Sequence, residues 1–123
     1  MKTAARCLRI LVVDDEPLIR WSIAETLGAA GHQVAEAEDA ASALRAIADD
    51  PARDLVLLDF RLPDSNDLGL LAKIRQLAPG ATVIMMTAFG TPDVTAGALT
   101  LGARKVLNKP FNMHDLADVG RSL

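Results

Sequence analysis

Short runs of β-branched and aliphatic residues alternate along this chain with longer segments of helical period. The first run, Leu8 to Val13, reads as a strand buried on both faces. It is followed by a helix from Pro17 to Ala30, with proline near its first position and Gly31 just past its end. Ile19, Ile23 and Leu27 recur every four residues and predict the face that lies on the sheet. Trp21 falls off that face and is read as a half-exposed packing residue, with part of a contact surface as the alternative. The unit then repeats: a strand Gln33 to Ala35, a helix Ala40 to Ala48 behind a cap at Asp39, and a strand Asp54 to Leu58 after the stop at Asp50-Pro51. Next come a helix Asp67 to Ala78 closed by Pro79-Gly80, a strand Ala81 to Met86, and a helix opened by Thr91-Pro92 and closed by Gly102. A strand Lys105 to Leu107 and a last helix from about Met113, capped by Asn112, complete the pattern.

Five strand–helix units in succession, with no hairpin signal between any two strands, predict an α/β fold with an all-parallel sheet covered by helices on both faces. Right-handed crossovers make it doubly wound, and the unit lengths are compatible with the flavodoxin-like order 2-1-3-4-5. The 123 residues, 50% of them hydrophobic, suit one domain over 1–123 with a folded core from about 8 to 122. With only 3% aromatic residues, aliphatic side chains and alanine must build that core.

A net charge of −3 and the lack of a lysine or arginine run argue against direct nucleic-acid binding by this segment. Cys7, the single cysteine, can form neither an internal disulfide nor a cysteine-based zinc site, and reads as a buried or near-surface apolar filler. The apolar run after the first residues is too short for a signal peptide or a membrane span. The expected setting is the cytoplasm.

Ligands of an open parallel sheet bind beyond the carboxyl ends of its strands, where the strand order reverses. Those ends carry Asp14-Asp15, Asp59, Thr87 and Lys109-Pro110. Three clustered carboxylates repel one another unless a cation neutralises them, and oxygen ligands without histidine or thiol suit Mg²⁺. Taken singly, each feature is ordinary. Acids favour a helix N-terminus, threonine favours strands, and lysine favours the surface. Their joint position at predicted strand ends is what points to a site. His32 and His114 read as a turn residue and a first-turn helix residue, and neither is assigned to a metal.

Asp14-Asp15-Glu16-Pro17, Asp59-Phe60-Arg61-Leu62-Pro63, Thr87-Ala88 and Lys109-Pro110-Phe111 resemble, in that order and over nearly the whole chain, the receiver domains of response regulators. Thr87-Ala88-Phe89-Gly90-Thr91 and Ile19-Arg20-Trp21 are most similar to the N-terminal receivers of NtrC-type regulators. The resemblance implies a phosphorelay switch in which Asp59 accepts a phosphoryl group. Asp15, Asp59 and the Arg61 carbonyl would ligate Mg²⁺, with Asp14 acting mostly through water. Thr87 and Lys109 would contact the phosphoryl oxygens. It also implies a sensor histidine kinase or phosphotransfer protein as partner, a homodimer through helix 4, strand 5 and helix 5, and a cis Lys109–Pro110 peptide. No enzymatic role is expected beyond self-phosphorylation and slow autodephosphorylation. Phe89 and Arg61 would flank the approach of the attacking water.

Two positions depart from the family pattern. Val106 stands three residues before Lys109, where an aromatic is usual, and Asn66-Asp67 replaces the common Asp-Gly. A phosphate-independent interaction module is one alternative reading. An aspartyl-phosphate phosphatase is another, although such enzymes place a second acid where this chain has Arg61.

Overall fold

The computed structural model describes residues 7–65, 68–88, 90–109 and 116. Five strands, β1 (Arg9–Val13), β2 (Gln33–Ala37), β3 (Leu55–Asp59), β4 (Thr82–Thr87) and β5 (Ala103–Asn108), form one parallel sheet in the order β2-β1-β3-β4-β5. Four helices connect them: α1 (Pro17–Ala29), α2 (Ala40–Asp49), α3 (Gly69–Leu77) and α4 (Pro92–Thr100).

Strand alternation sorts the apolar residues into two cores. Leu11, Val13, Val56, Leu58, Val83 and Met85 face α2, α3 and α4. Their neighbours Ile10, Val12, Leu55, Leu57, Ile84 and Met86 face Ile23 and Leu27 of α1, with Ile19 packed at the edge. The last predicted helix is described only at Leu116, which is helical and buried in this second core. The Asn66-Asp67 turn, Phe89, His114, the Lys109–Pro110 peptide and the Asn112 cap lie outside the described residues.

Several predicted boundaries shift. Strand β2 runs two residues past Ala35, because Ala37 pairs with Val13 and its carbonyl accepts the Asp14 N–H at 3.1 Å. Strand β3 starts at Leu55 rather than Asp54, whose carboxylate instead takes the Arg9 N–H at 2.9 Å. Strands β3 and β4 therefore end on Asp59 and Thr87 themselves. The helix expected from Asp67 is α3, which begins at Gly69. Strand β5 is longer than predicted at both ends, and its register slips between Val83 and Ile84 of β4, pairing Val106 with Met85. Val106 is thereby half-buried against the first core. Cys7 is exposed, at the surface end of the buried or near-surface reading. Trp21 is 56% exposed beside Leu18 at 75%, and belongs to neither core.

The helix ends follow their local chemistry. Asp39 accepts the Ser42 N–H at 2.8 Å while the Ser42 hydroxyl takes the Asp39 N–H, so α2 begins on a reciprocal cap. Thr91 Oγ1 accepts the Val94 N–H at 3.2 Å at the start of α4. Past the end of α1, Gly31 sits at φ +97°, and a Cβ built there would meet nothing within 4 Å. Only backbone strain opposes a side chain at this position. Gly31→Ala is therefore expected to cost about 1 kcal/mol in urea unfolding, with an unchanged denaturant slope.

Candidate functional site

The strand order reverses between β1 and β3, and the crevice outside their carboxyl ends is where an open α/β sheet holds its ligands. Four polar residues predicted for this rim arrive there on the ends of four different strands. Asp14 follows β1, Asp59 ends β3, Thr87 ends β4 and Lys109 follows β5. Parallel pairing places Asp59 opposite Met86 and Thr87 opposite Asn108. The Lys109 N–H donates to the Thr87 carbonyl at 2.7 Å, which carries the β4–β5 contact one residue past the strand.

Asp14 is fully buried and held at four points. Its N–H donates to Ala37, and its carbonyl accepts Arg20 Nη1 at 2.7 Å. Its Oδ1 accepts the Glu16 N–H at 2.9 Å, and its Oδ2 accepts Lys109 Nζ at 2.7 Å. A carboxyl group this enclosed is costly to bury without such partners. The Arg20 Nε also reaches Glu36 at 3.0 Å, tying α1 to β2 beneath the turn.

Asp59 is 6% exposed, its Oδ2 lies 3.4 Å from Lys109 Nζ, and its Oδ1 accepts the Arg61 N–H at 3.4 Å. Burial pushes its carboxyl up to about 6, aided by the charge of Asp14 and only partly opposed by Lys109. For Lys109, burial alone would lower the ammonium. The bond to Asp14 and the charges of Asp59 and Asp14 outweigh it and hold the lysine above its ordinary value.

Asp15, Glu16, Asp59, Arg61, Thr87, Ala88 and Lys109 line a cleft of about 250 Å³ at this rim, with Asp14 outside its lining. The five side chains predicted for the site, Asp14, Asp15, Asp59, Thr87 and Lys109, and the Arg61 backbone thus meet at this rim. Glu16 joins them without having been assigned a role: its Oε1 lies 3.3 Å from Lys109 Nζ, and it leaves the start of α1 without a side-chain cap. The acid run Asp14-Asp15-Glu16 was the visible signal; its pairing with a lysine far along the chain was not.

One carboxylate oxygen from each of Asp14, Asp15, Glu16 and Asp59 lies within 4.8 Å of the others. Lys109 Nζ lies within 3.4 Å of three of these four acids, Asp14, Glu16 and Asp59. The set contains neither histidine nor thiol, which fits a hard divalent cation such as Mg²⁺. His32 is placed elsewhere, with Nδ1 accepting the Leu8 N–H at 3.0 Å.

A family model of the response regulator receiver domain matches residues 10–120. The chain belongs to the response-regulator receiver domain family. Among curated relatives, it is 38% identical over 111 residues to the response regulator protein PilR of Pseudomonas aeruginosa, covering 90% of this chain and 25% of that protein. It is 34% identical over 110 residues to the DNA-binding transcriptional regulator NtrC of Azospirillum brasilense, covering 89% and 23%. The receiver thus spans about a quarter of the length of these relatives. Among solved structures, NtrX from Brucella abortus in complex with ADP superposes with a TM-score of 0.84 at 38% identity, covering 95% of this chain and 26% of NtrX. A CheY-like receiver domain protein from Methanospirillum hungatei superposes at 0.85 and 33% identity, covering 93% and 90%. The likeness to NtrC-type receivers and the 2-1-3-4-5 sheet both agree with the sequence expectations. Among the described residues, no helix is long and apolar enough to cross a membrane.

Proposed function

We propose that this receiver is a phosphorylation switch with Asp59 as its acceptor. The observation that carries the reading is the convergence of Asp59, Thr87 and Lys109, each at the end of a different strand, with three further acids from the turn that follows β1. Asp15, Asp59 and the Arg61 carbonyl would hold Mg²⁺, with Asp14 behind them. When bound, the ion neutralises charge on the acceptor and on the incoming phosphoryl oxygens.

The chain's own residues do the rest. An oxygen of the ionised Asp59 carboxylate attacks phosphorus, a new P–O bond forms, and the P–N bond of a phosphohistidine donor breaks, leaving its electron pair on the imidazole. Lys109, poised 3.4 Å from Asp59, turns its ammonium onto a phosphoryl oxygen. The Thr87 hydroxyl donates to another. Its carbonyl already holds the Lys109 backbone, so movement of either residue is felt by the other.

The donor is a sensor histidine kinase or a phosphotransfer protein of the cytoplasm. Beyond accepting phosphate, the domain catalyses only its own slow dephosphorylation. One receiver domain fills residues 1–123, and a second copy pairs through α4, β5 and the last helix. The output resides in the remainder of a larger regulator, as the length of the relatives suggests.

Incubation with Mg²⁺ and acetyl phosphate, followed by intact-mass measurement and peptide mapping, tests the assignment. One phosphoryl adduct on Asp59 is expected. An adduct elsewhere, or none, overturns it, and sustained turnover of a small phosphomonoester would move the protein to the phosphatase reading.

A further inference from the structure

The loop that leaves Asp59 is pinned at two places before it reaches α3. The Phe60 N–H donates to the Met86 carbonyl at 2.8 Å. Leu62 and Ser65 then exchange both backbone bonds, at 2.8 and 3.2 Å, so Pro63 and Asp64 form the tip of a tight two-residue turn. Leu62 is 6% exposed and sits in the first core. Arg61, whose carbonyl belongs to the proposed cation set, lies between these two fixed points.

Asp64 reaches out of the turn to a different element. Its Oδ1 accepts the Ala40 N–H at 2.7 Å and its Oδ2 the Ala41 N–H at 3.1 Å, the first two N–H groups of α2. The third, on Ser42, is taken by Asp39. Two carboxylates thus divide the unpaired donors at one helix start, a place that favours negative charge. Asp39 alone supplies the local cap that a helix needs. Asp64 adds something a local cap cannot, a tie from α2 to the turn beside the acceptor, 24 residues away in sequence.

We propose that Asp64 is a positioning residue for the cation site, holding the Leu62–Ser65 turn against α2 and with it the backbone of Arg61, whose carbonyl belongs to the proposed cation set. The proposal rests on the Mg²⁺ reading given above. Removing the tie frees the turn to move, and a ligand oxygen on a moving turn binds a cation more weakly.

The test is calorimetric titration of the whole chain with Mg²⁺, on the wild type and on Asp64→Ala, Asp64→Asn and Asp39→Ala. Asp64→Ala should bind Mg²⁺ about tenfold more weakly, in the range seen when outer groups that orient metal ligands are removed. Asp64→Asn, which keeps one acceptor oxygen, should fall between it and the wild type. Asp39→Ala weakens the start of the same helix yet should leave Mg²⁺ affinity unchanged. Amide exchange at Ser65 should quicken in Asp64→Ala and not in Asp39→Ala. Equal affinity of wild type and Asp64→Ala, or equal loss in Asp64→Ala and Asp39→Ala, overturns the inference while leaving the cation site standing. A wild type that binds no Mg²⁺ overturns the site and the inference together. Should Asp64→Ala not fold, Asp64→Asn decides: an affinity equal to wild type, with Ser65 exchange unchanged, overturns the inference.

Discussion

Asp59→Asn is expected to abolish the phosphoryl adduct and, in the absence of divalent cations, to stabilise the fold at neutral pH. The first outcome follows from removing the nucleophile: a neutral amide neither attacks phosphorus nor gives a stable phosphate ester. The second follows from the cost of holding a charge in a buried place. Burial raises the Asp59 carboxyl from 3.8 to about 6, so the folded protein resists its ionisation more than the unfolded chain does. Asp59 therefore favours folding most below about pH 4, and that contribution is lost as pH rises through about 6. At pH 7 the ionised side chain costs up to about 3 kcal/mol, and Asn should recover between about 1 and 3. Thermal unfolding in EDTA at pH 4, 5, 6 and 7 checks this. The advantage of the mutant should grow with pH across that window, and adding Mg²⁺ at pH 7 should raise the wild type more than the mutant. A mutant equal to or less stable than wild type at pH 7 would show that Lys109 fully offsets the burial of Asp59.

The rim was legible because polar residues interrupt aliphatic runs there. Asp14 follows the four apolar positions Ile10 to Val13, and Asp59 closes the run Leu55 to Leu58. Strand limits were less legible, since the hydrogen-bond ladder ignores side-chain polarity. Glu36 and Ala37 continue β2 without an apolar signal, because β1 extends far enough to pair with them. The contacts that tune the site were not legible at all. Glu16 meets Lys109 across 93 residues and Asp64 meets Ala40 across 24, and periodicity carries no information at such separations. Trp21 was legible only as a residue off the buried face of α1, and Leu18 was not singled out at all. Their exposure of 56% and 75% exceeds what packing on a neighbouring element would leave. Val106 shows the opposite limit. Its identity departs from the family pattern, yet the register slip in β5 settles it against the first core, where a compact aliphatic side chain packs without a swinging ring.

Lys109→Met should have the opposite sign to Asp59→Asn. Among the described residues, the ammonium is the one side-chain cation bonded to the carboxylate of the fully buried Asp14, and it also lies within 3.4 Å of both Glu16 and Asp59. Removing one member of a buried pair leaves the other uncompensated, a loss of about 3–5 kcal/mol for a fully enclosed pair. Lys109 retains some exposure and Asp14 keeps the Glu16 N–H, so about 2–4 kcal/mol is expected at pH 7 in EDTA. The penalty should shrink as pH falls toward about 6, because Asp59, without the ammonium that lowers its carboxyl, takes up a proton at a higher pH in the mutant than in the wild type. Mg²⁺ should restore part of the stability, since a divalent cation answers the same carboxylates. A double-mutant cycle separates this from lost packing. If Lys109 acts by neutralising Asp59 as well as Asp14, adding Asp59→Asn to Lys109→Met should recover more stability than Asp59→Asn gains in the wild type, with a coupling of about 1 kcal/mol or more. Strict additivity would mean that Lys109 serves Asp14 alone and stands beside Asp59 without sensing its charge.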